Sequence, residues 1–180
     1  MDARPLRDNL APMMKLRPLM LALATAATMA AGPVPPPPPP GTAVYYGLHF
    51  VDTSTEGAIN GVRADETKRV QMTSDLIAED LKARGFTLMT PPPEKIAGIA
   101  NPVESNRRDT KIAAEMGADY AIVGQVQKTS NLILAINLYI RDAKTGKNLR
   151  AGTVDMRGNN DESFQRAARY LLKNIIFRKE

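Results

Sequence analysis

The chain contains a single histidine, His49, and Asp52 follows it three residues later. An imidazole beside a carboxylate suits acid–base work or metal ligation. No second histidine is present and no nucleophile is locally paired with His49, so the plainer reading is a strand residue at a sheet edge. A second locus is Asp155-Met156-Arg157-Gly158-Asn159-Asn160-Asp161-Glu162, dense in polar groups where a strand should give way to a helix. Backbone N–H groups at a helix start favour an anion, and Arg157 could supplement them. Conversely, Asp155, Asp161 and Glu162 could offer oxygen ligands to a hard cation, although the spacing is not that of an EF-hand loop. The competing reading is ordinary strand-end and capping chemistry, with Asn160 as the cap. Arg166, Arg169 and Lys173 then recur at helical spacing, as a solvated face or as a contact for an acidic partner or lipid headgroups. Finally, Gln125, Gln127, Lys128, Ser130 and Asn131 make a polar end to an apolar strand, either facing solvent or lining a shallow site.

None of these groups forms a catalytic constellation. Phosphate-binding loops, a GxGxxG turn, a GxSxG elbow and an HExxH helix are all missing from the sequence. With no cysteine, disulfides, thiolate metal sites, cysteine nucleophiles and a lipid-modified cysteine are excluded. The expectation is therefore no catalytic residue, no resident metal and no cofactor. The binding candidates are Arg157, Asn159, Asp161, Glu162, Arg166, Gln125, Gln127, His49 and Asp52.

The elements that would position these residues follow from periodicity. Thr42–Phe50 reads as a strand, ending in a polar turn. Asp65–Arg84 carries apolar residues at i, i+3, i+4 spacing and meets Gly85, as a helix and its C-terminal glycine do. Phe86–Thr90 is a short strand stopped by three prolines. Short helices over 94–100 and 105–116 precede a buried strand over 119–128. The strand 132–142 places Leu132, Leu134, Ile136, Leu138 and Ile140 on one face, and Ile133, Ala135, Asn137, Tyr139 and Arg141 on the other. A turn at 143–146, a returning strand over 149–157 and a helix faced by Phe164, Ala167, Ala168, Leu171, Leu172 and Ile175 complete the chain. The order β-α-β-α-α-β-β-β-α predicts an α/β (α+β) domain, a mixed sheet with helices packed on it.

Ahead of this domain, Lys15 and Arg17 precede an apolar run from Leu19 to Ala31, too short to span a bilayer. The pattern predicts a cleaved signal peptide over 1–31, a proline-rich spacer over 32–41 and a single domain over 42–180. Export then implies a periplasmic location with no transmembrane segment in the mature form. From Thr42 onward there are 20 basic and 17 acidic residues, a net charge of +3 without a basic stripe, so a nucleic-acid partner is not expected.

The segments YYGLHFVDTSTEG, RGFTLMTPP, VGQVQKTSNLILAINLYIRD and RGNNDESFQRAARYLL closely resemble an uncharacterised family of secreted bacterial proteins, a domain of unknown function. More broadly, a GADYAIVG-like strand before a hairpin with a D-x-x-TG turn resembles the amino-terminal domain of TolB, the curli secretion lipoproteins and the penicillin-binding-protein activator lipoproteins. Asp142, Thr145 and Gly146 match that turn. The resemblance implies an assembly or adaptor domain, although the missing cysteine means that a lipid anchor does not carry over. Three readings stand. The first is a non-catalytic periplasmic binding or adaptor module contacting an envelope protein through a sheet edge or the RGNNDES segment. The second is a small-molecule-binding protein or weak enzyme with a polar site joining His49 to that segment. The third is an envelope protein that oligomerises.

Overall fold

The computed structural model describes residues 36–178. The expected signal segment and the first four residues of the expected spacer, 32–35, lie outside the described residues.

Five strands form one sheet in the order β2-β1-β3-β4-β5. They are β1 (Thr42–Asp52), β2 (Thr87–Met89), β3 (Tyr120–Ser130), β4 (Ile133–Asp142) and β5 (Asn148–Met156). β1 runs parallel to both its neighbours, while β3, β4 and β5 form an antiparallel meander. The mixed sheet and packed helices match the sequence expectation. The helices are α1 (Thr55–Asn60), α2 (Ala64–Ala83), α3 (Pro93–Ile96), α4 (Arg108–Glu115) and α5 (Asp161–Leu171). A 3-10 turn at Pro102–Glu104 precedes α4, and a π-helical turn at Leu172–Ile176 extends α5.

Two of these elements depart from expectation. α1 occupies the stretch read as a polar turn: Ser54 caps it, its hydroxyl accepting from the Gly57 amide at 3.0 Å. The segment expected as one short helix over 94–100 is shorter, ending at Ile96. α5 begins where its cap predicts, the Asn160 side chain accepting from Ser163 N at 2.9 Å.

Alternation along the strands creates two unlike faces. The inner face carries Ile122, Val126, Leu134, Ile136, Leu138 and Ile140 against Val70, Ile77 and Leu81 of α2 and Phe164, Ala168 and Leu171 of α5. Leu132, expected on this face, instead sits exposed in the β3–β4 turn. The outer face is covered over its first half by α4, with Val44, Ala113, Ala118 and Ala121 packed there. Arg141 fastens that cover, donating to Asp109 Oδ2 at 2.8 Å and to the Val103 carbonyl at 2.9 Å.

A bulge decides what β1 shows to each face. The β1–β3 register slips between Tyr45 and Leu48, at Gly47 with φ +73°. Before the slip, the Tyr45 hydroxyl reaches Ser74 on α2 and the Tyr46 hydroxyl donates to the Asp109 carbonyl on α4. After it, Leu48 and Phe50 join the inner core. Inserting one residue inverts the alternation beyond it, so His49 points to the outer face and Asp52 inward.

Candidate functional site

At the inward end of β1 and β3 lies an ion cluster. Lys128 is fully buried, and its Nζ donates to Glu66 Oε1 at 2.6 Å, Asp52 Oδ2 at 3.2 Å and Glu56 Oε2 at 3.4 Å. The Asp52 and Glu66 side chains are almost wholly buried with it. Asp52 also accepts from the Ser54 amide and hydroxyl, and Glu66 from the Arg63 amide and from Asn159 Nδ2 at 2.6 Å. Arg69 continues the network, donating to Asn159 Oδ1 at 2.6 Å and to Asp161 Oδ1 at 2.9 Å. At its exposed edge Asn131 Nδ2 donates to Glu56 Oε2 at 2.6 Å.

Burial alone would raise both carboxyls and lower the ammonium. The hydrogen bonds from Ser54 and Lys128 outweigh it at Asp52, and those from Lys128, Arg63 and Asn159 at Glu66, so both carboxyls fall below their ordinary range. Glu66 and Asp52 likewise outweigh the burial of Lys128 and raise it. The amine is therefore held as an ammonium with every proton directed at a carboxylate. This is a structural ion joining β1, α1, α2, β3 and the loop before α5, not a lysine nucleophile.

The sequence candidates sort themselves around this cluster. His49 and Asp52 do not meet, because they point to opposite faces. Asn159 and Asp161 are committed to α2 through Glu66 and Arg69. Asp155 is paired with Ala135 on the outer face, so it does not converge with Asp161 on a cation. Among the described residues, no group of three or more His, Asp or Glu is placed to hold a metal ion. His49 stands among the outer rows and Asp161 with α2 on the inner side, so the two are on opposite faces of the sheet. Glu162 and Arg166 are exposed and pair with each other at 3.3 Å. Arg157 is exposed and lines a cleft of about 270 Å³ between the end of β5 and α5, with Arg166 and Tyr170.

The remaining candidates gather on the open half of the outer face. Register aligns His49 with Gln125, Gln125 with Asn137, and Asn137 with Thr153, one row across four strands. The next row is Val51, Gln127, Ala135 and Asp155. Within the first row Thr153 Oγ1 donates to Asn137 Oδ1 at 2.6 Å, and Asn101 Nδ2 donates to Gln125 Oε1 at 2.9 Å from the covered side. Gln127, Thr153 and Asp155 are exposed; His49 and Gln125 are half-buried. Two exposed apolar side chains, Leu132 (72%) and Ile133 (62%), stand at the hairpin tip beyond the rows. Asn137, Thr153, Glu66 and Glu56 were not singled out from sequence. Strand alternation already places Asn137 opposite the apolar face, but the register that lines it up with Gln125 and Thr153 is not visible in local pattern.

Fold and surface together define an α+β domain on a five-stranded mixed sheet, with one face packed and the other half open. Residues 41–176 match the family DUF3280, described as a protein of unknown function (DUF2380), and the chain belongs to that family. No curated protein matches it. Among solved structures it is similar to the LpoB C-terminal domain from Escherichia coli, at 15% identity and TM-score 0.46, covering 70% of this chain and 86% of that one. It is also similar to the PelC dodecamer from Paraburkholderia phytofirmans, at 15% identity and TM-score 0.48, covering 83% and 96%. A third is the lipoprotein GNA1162 from Neisseria meningitidis, at 17% identity and TM-score 0.43, covering 67% and 84%. No helix of the described residues is long and apolar enough to cross a membrane.

Proposed function

We propose that the domain is a non-catalytic binding or adaptor module of the periplasm, making protein–protein contacts in the cell envelope through the open half of its outer sheet face. The observation that carries this reading is the pair of side-chain rows, His49–Gln125–Asn137–Thr153 and Val51–Gln127–Ala135–Asp155, in which Gln127, Thr153 and Asp155 are exposed beside a half that α4 covers. Amide and hydroxyl groups interleaved with small apolar ones, and flanked by exposed Leu132 and Ile133, have the mixed composition of a non-obligate interface. His49 supplies a hydrogen-bonding group to that surface. The leader pattern supports the location.

A photo-crosslinking residue placed at Gln127 or Thr153 tests the reading, with the same residue at Lys111 on α4 as the control. Expressed in cells, the first two sites should trap one and the same envelope protein, and Asp155→Arg, at an exposed position of the same face, should abolish the product. Equal products from all three sites, or none from Gln127 and Thr153, would overturn it.

A further inference from the structure

α2 and α5 lie side by side on the inner face and run in the same direction. The Arg69–Asp161 ion pair joins the second turn of α2 to the first residue of α5, Gln165 Nε2 reaches Met72 Sδ, and the Arg84 guanidinium covers the Phe177 ring at 4.3 Å beyond their last turns. Between their outward surfaces runs an open groove of about 780 Å³. Its floor is Met72, Leu76 and Leu172. One wall is acidic, Asp75 and Glu79 one turn apart on α2. The other is basic, Arg169 and Lys173 one turn apart on α5. All four are exposed. Asp75 takes a hydrogen bond from Gln71; among the described residues Glu79, Arg169 and Lys173 make no ion pair.

We propose that this face pairs with a second copy of the chain about a two-fold axis parallel to the two helices. Such a rotation exchanges left for right and preserves height, so it lays α2 of one copy over α5 of the other. The contacts Met72–Gln165 and Arg84–Phe177 set corresponding levels on the two helices. Asp75 and Glu79 lie between the first and last of those levels on α2, as Arg169 and Lys173 do on α5. Each acidic wall therefore meets the partner's basic wall, twice over, while Met72 and Leu76 close on their symmetry mates. The other in-plane two-fold, perpendicular to the helices, would set acid on acid and base on base. The face is self-complementary in one isologous arrangement and repulsive in the other. The dimer leaves the outer sheet face free, so it stands independently of the proposed envelope contact.

Light scattering on the purified full chain, read over a concentration series at low and high salt, tests this. The wild type should show twice the monomer mass at low salt and dissociate as salt rises. Asp75→Lys/Glu79→Lys and Arg169→Glu/Lys173→Glu should each be monomeric, with circular dichroism unchanged because all four positions are exposed. Mixed in equal amounts, the two variants should recover the dimer mass, since each then presents walls opposite to the other's. A wild type that stays monomeric at low salt, a dimer insensitive to either pair of substitutions, or a mixture that stays monomeric would each overturn the proposal.

Discussion

Lys128 is the residue on which most of the inner polar structure depends. Removing one partner from a buried ion group leaves the others charged without compensation, typically at a cost of about 3–5 kcal/mol. Lys128→Met should therefore lower the free energy of unfolding by about that amount in urea titration. Changing Asp52 and Glu66 to apolar residues at the same time should recover much of the loss, because the desolvation cost disappears with the charges. The same groups set a pH dependence. The depressed carboxyls of Asp52 and Glu66 stabilise the fold above the ordinary carboxylate range, about 4, and that contribution is lost as pH falls through their lower folded values. The raised ammonium of Lys128 stabilises below its ordinary value, about 10.4, and loses its effect only as pH rises beyond it. The urea midpoint should be flat between roughly pH 5 and 10 and fall on the acid side below about 4; a midpoint unchanged at pH 3 would contradict the cluster's role. The sequence did contain a hint, since Lys128 shares its alternation with Ile122 and Val126. A strand-end lysine is ordinarily solvated, however, and its partners stand 62 to 76 residues away.

At the scale of elements, the bulge at Gly47 matters more than its size suggests. A side chain there must adopt left-handed backbone, and its Cβ would come 3.1 Å from Ser74 Oγ. Gly47→Ala should cost about 1–2 kcal/mol through the backbone alone, measurable as a shift in the urea midpoint at constant slope. Gly152 makes a different demand: a Cβ on β5 would come 2.6 Å from Ile175 Cγ2 and 2.8 Å from Leu171 Cδ1. Gly152→Val should push α5 and its π-helical turn off the sheet, costing about 1–3 kcal/mol and shortening hydrogen-exchange protection in α5 first. The strands and long helices were legible because β4 alternates strictly and α2 and α5 keep a helical period. The D-x-x-TG turn was legible too: Thr145 N donates to Asp142 Oδ1 at 2.6 Å, and Gly146 takes φ +70°. The bulge was not, because no composition marks the glycine that slips the register. Three residues apart on one strand, His49 and Asp52 lie on opposite faces in any register; the extra residue decides only that Asp52 is the one turned inward to Lys128 and His49 the one turned outward. Helix α1 was hidden by Thr, Gly and Asn, residues that equally describe a turn.

For the molecule as a whole, the two faces divide the work. The inner face takes the core, the ion cluster and the two parallel helices; the outer face is half closed by α4 and half left to solvent. Of the candidate residues, Gln125, Gln127 and His49 share the open half, whereas Asn159 and Asp161 are consumed in holding α5 to α2. That division could not be read locally, since it depends on which of two sheet faces each loop returns to.

The strand order has a further consequence in time. β2 has β1 as its neighbour and pairs with it through three residues, and β1 finds its long partner at Tyr120–Lys128, more than seventy residues downstream. The meander that can form from short-range contacts lies wholly in the last third of the chain. Loop closure penalises the distant parallel pairing until that local piece exists to receive it. A chain delivered amino-terminus first, whether from a ribosome or through a membrane channel, thus has almost nothing to fold onto until its final segment arrives. Late closure keeps it extended for as long as a narrow passage requires.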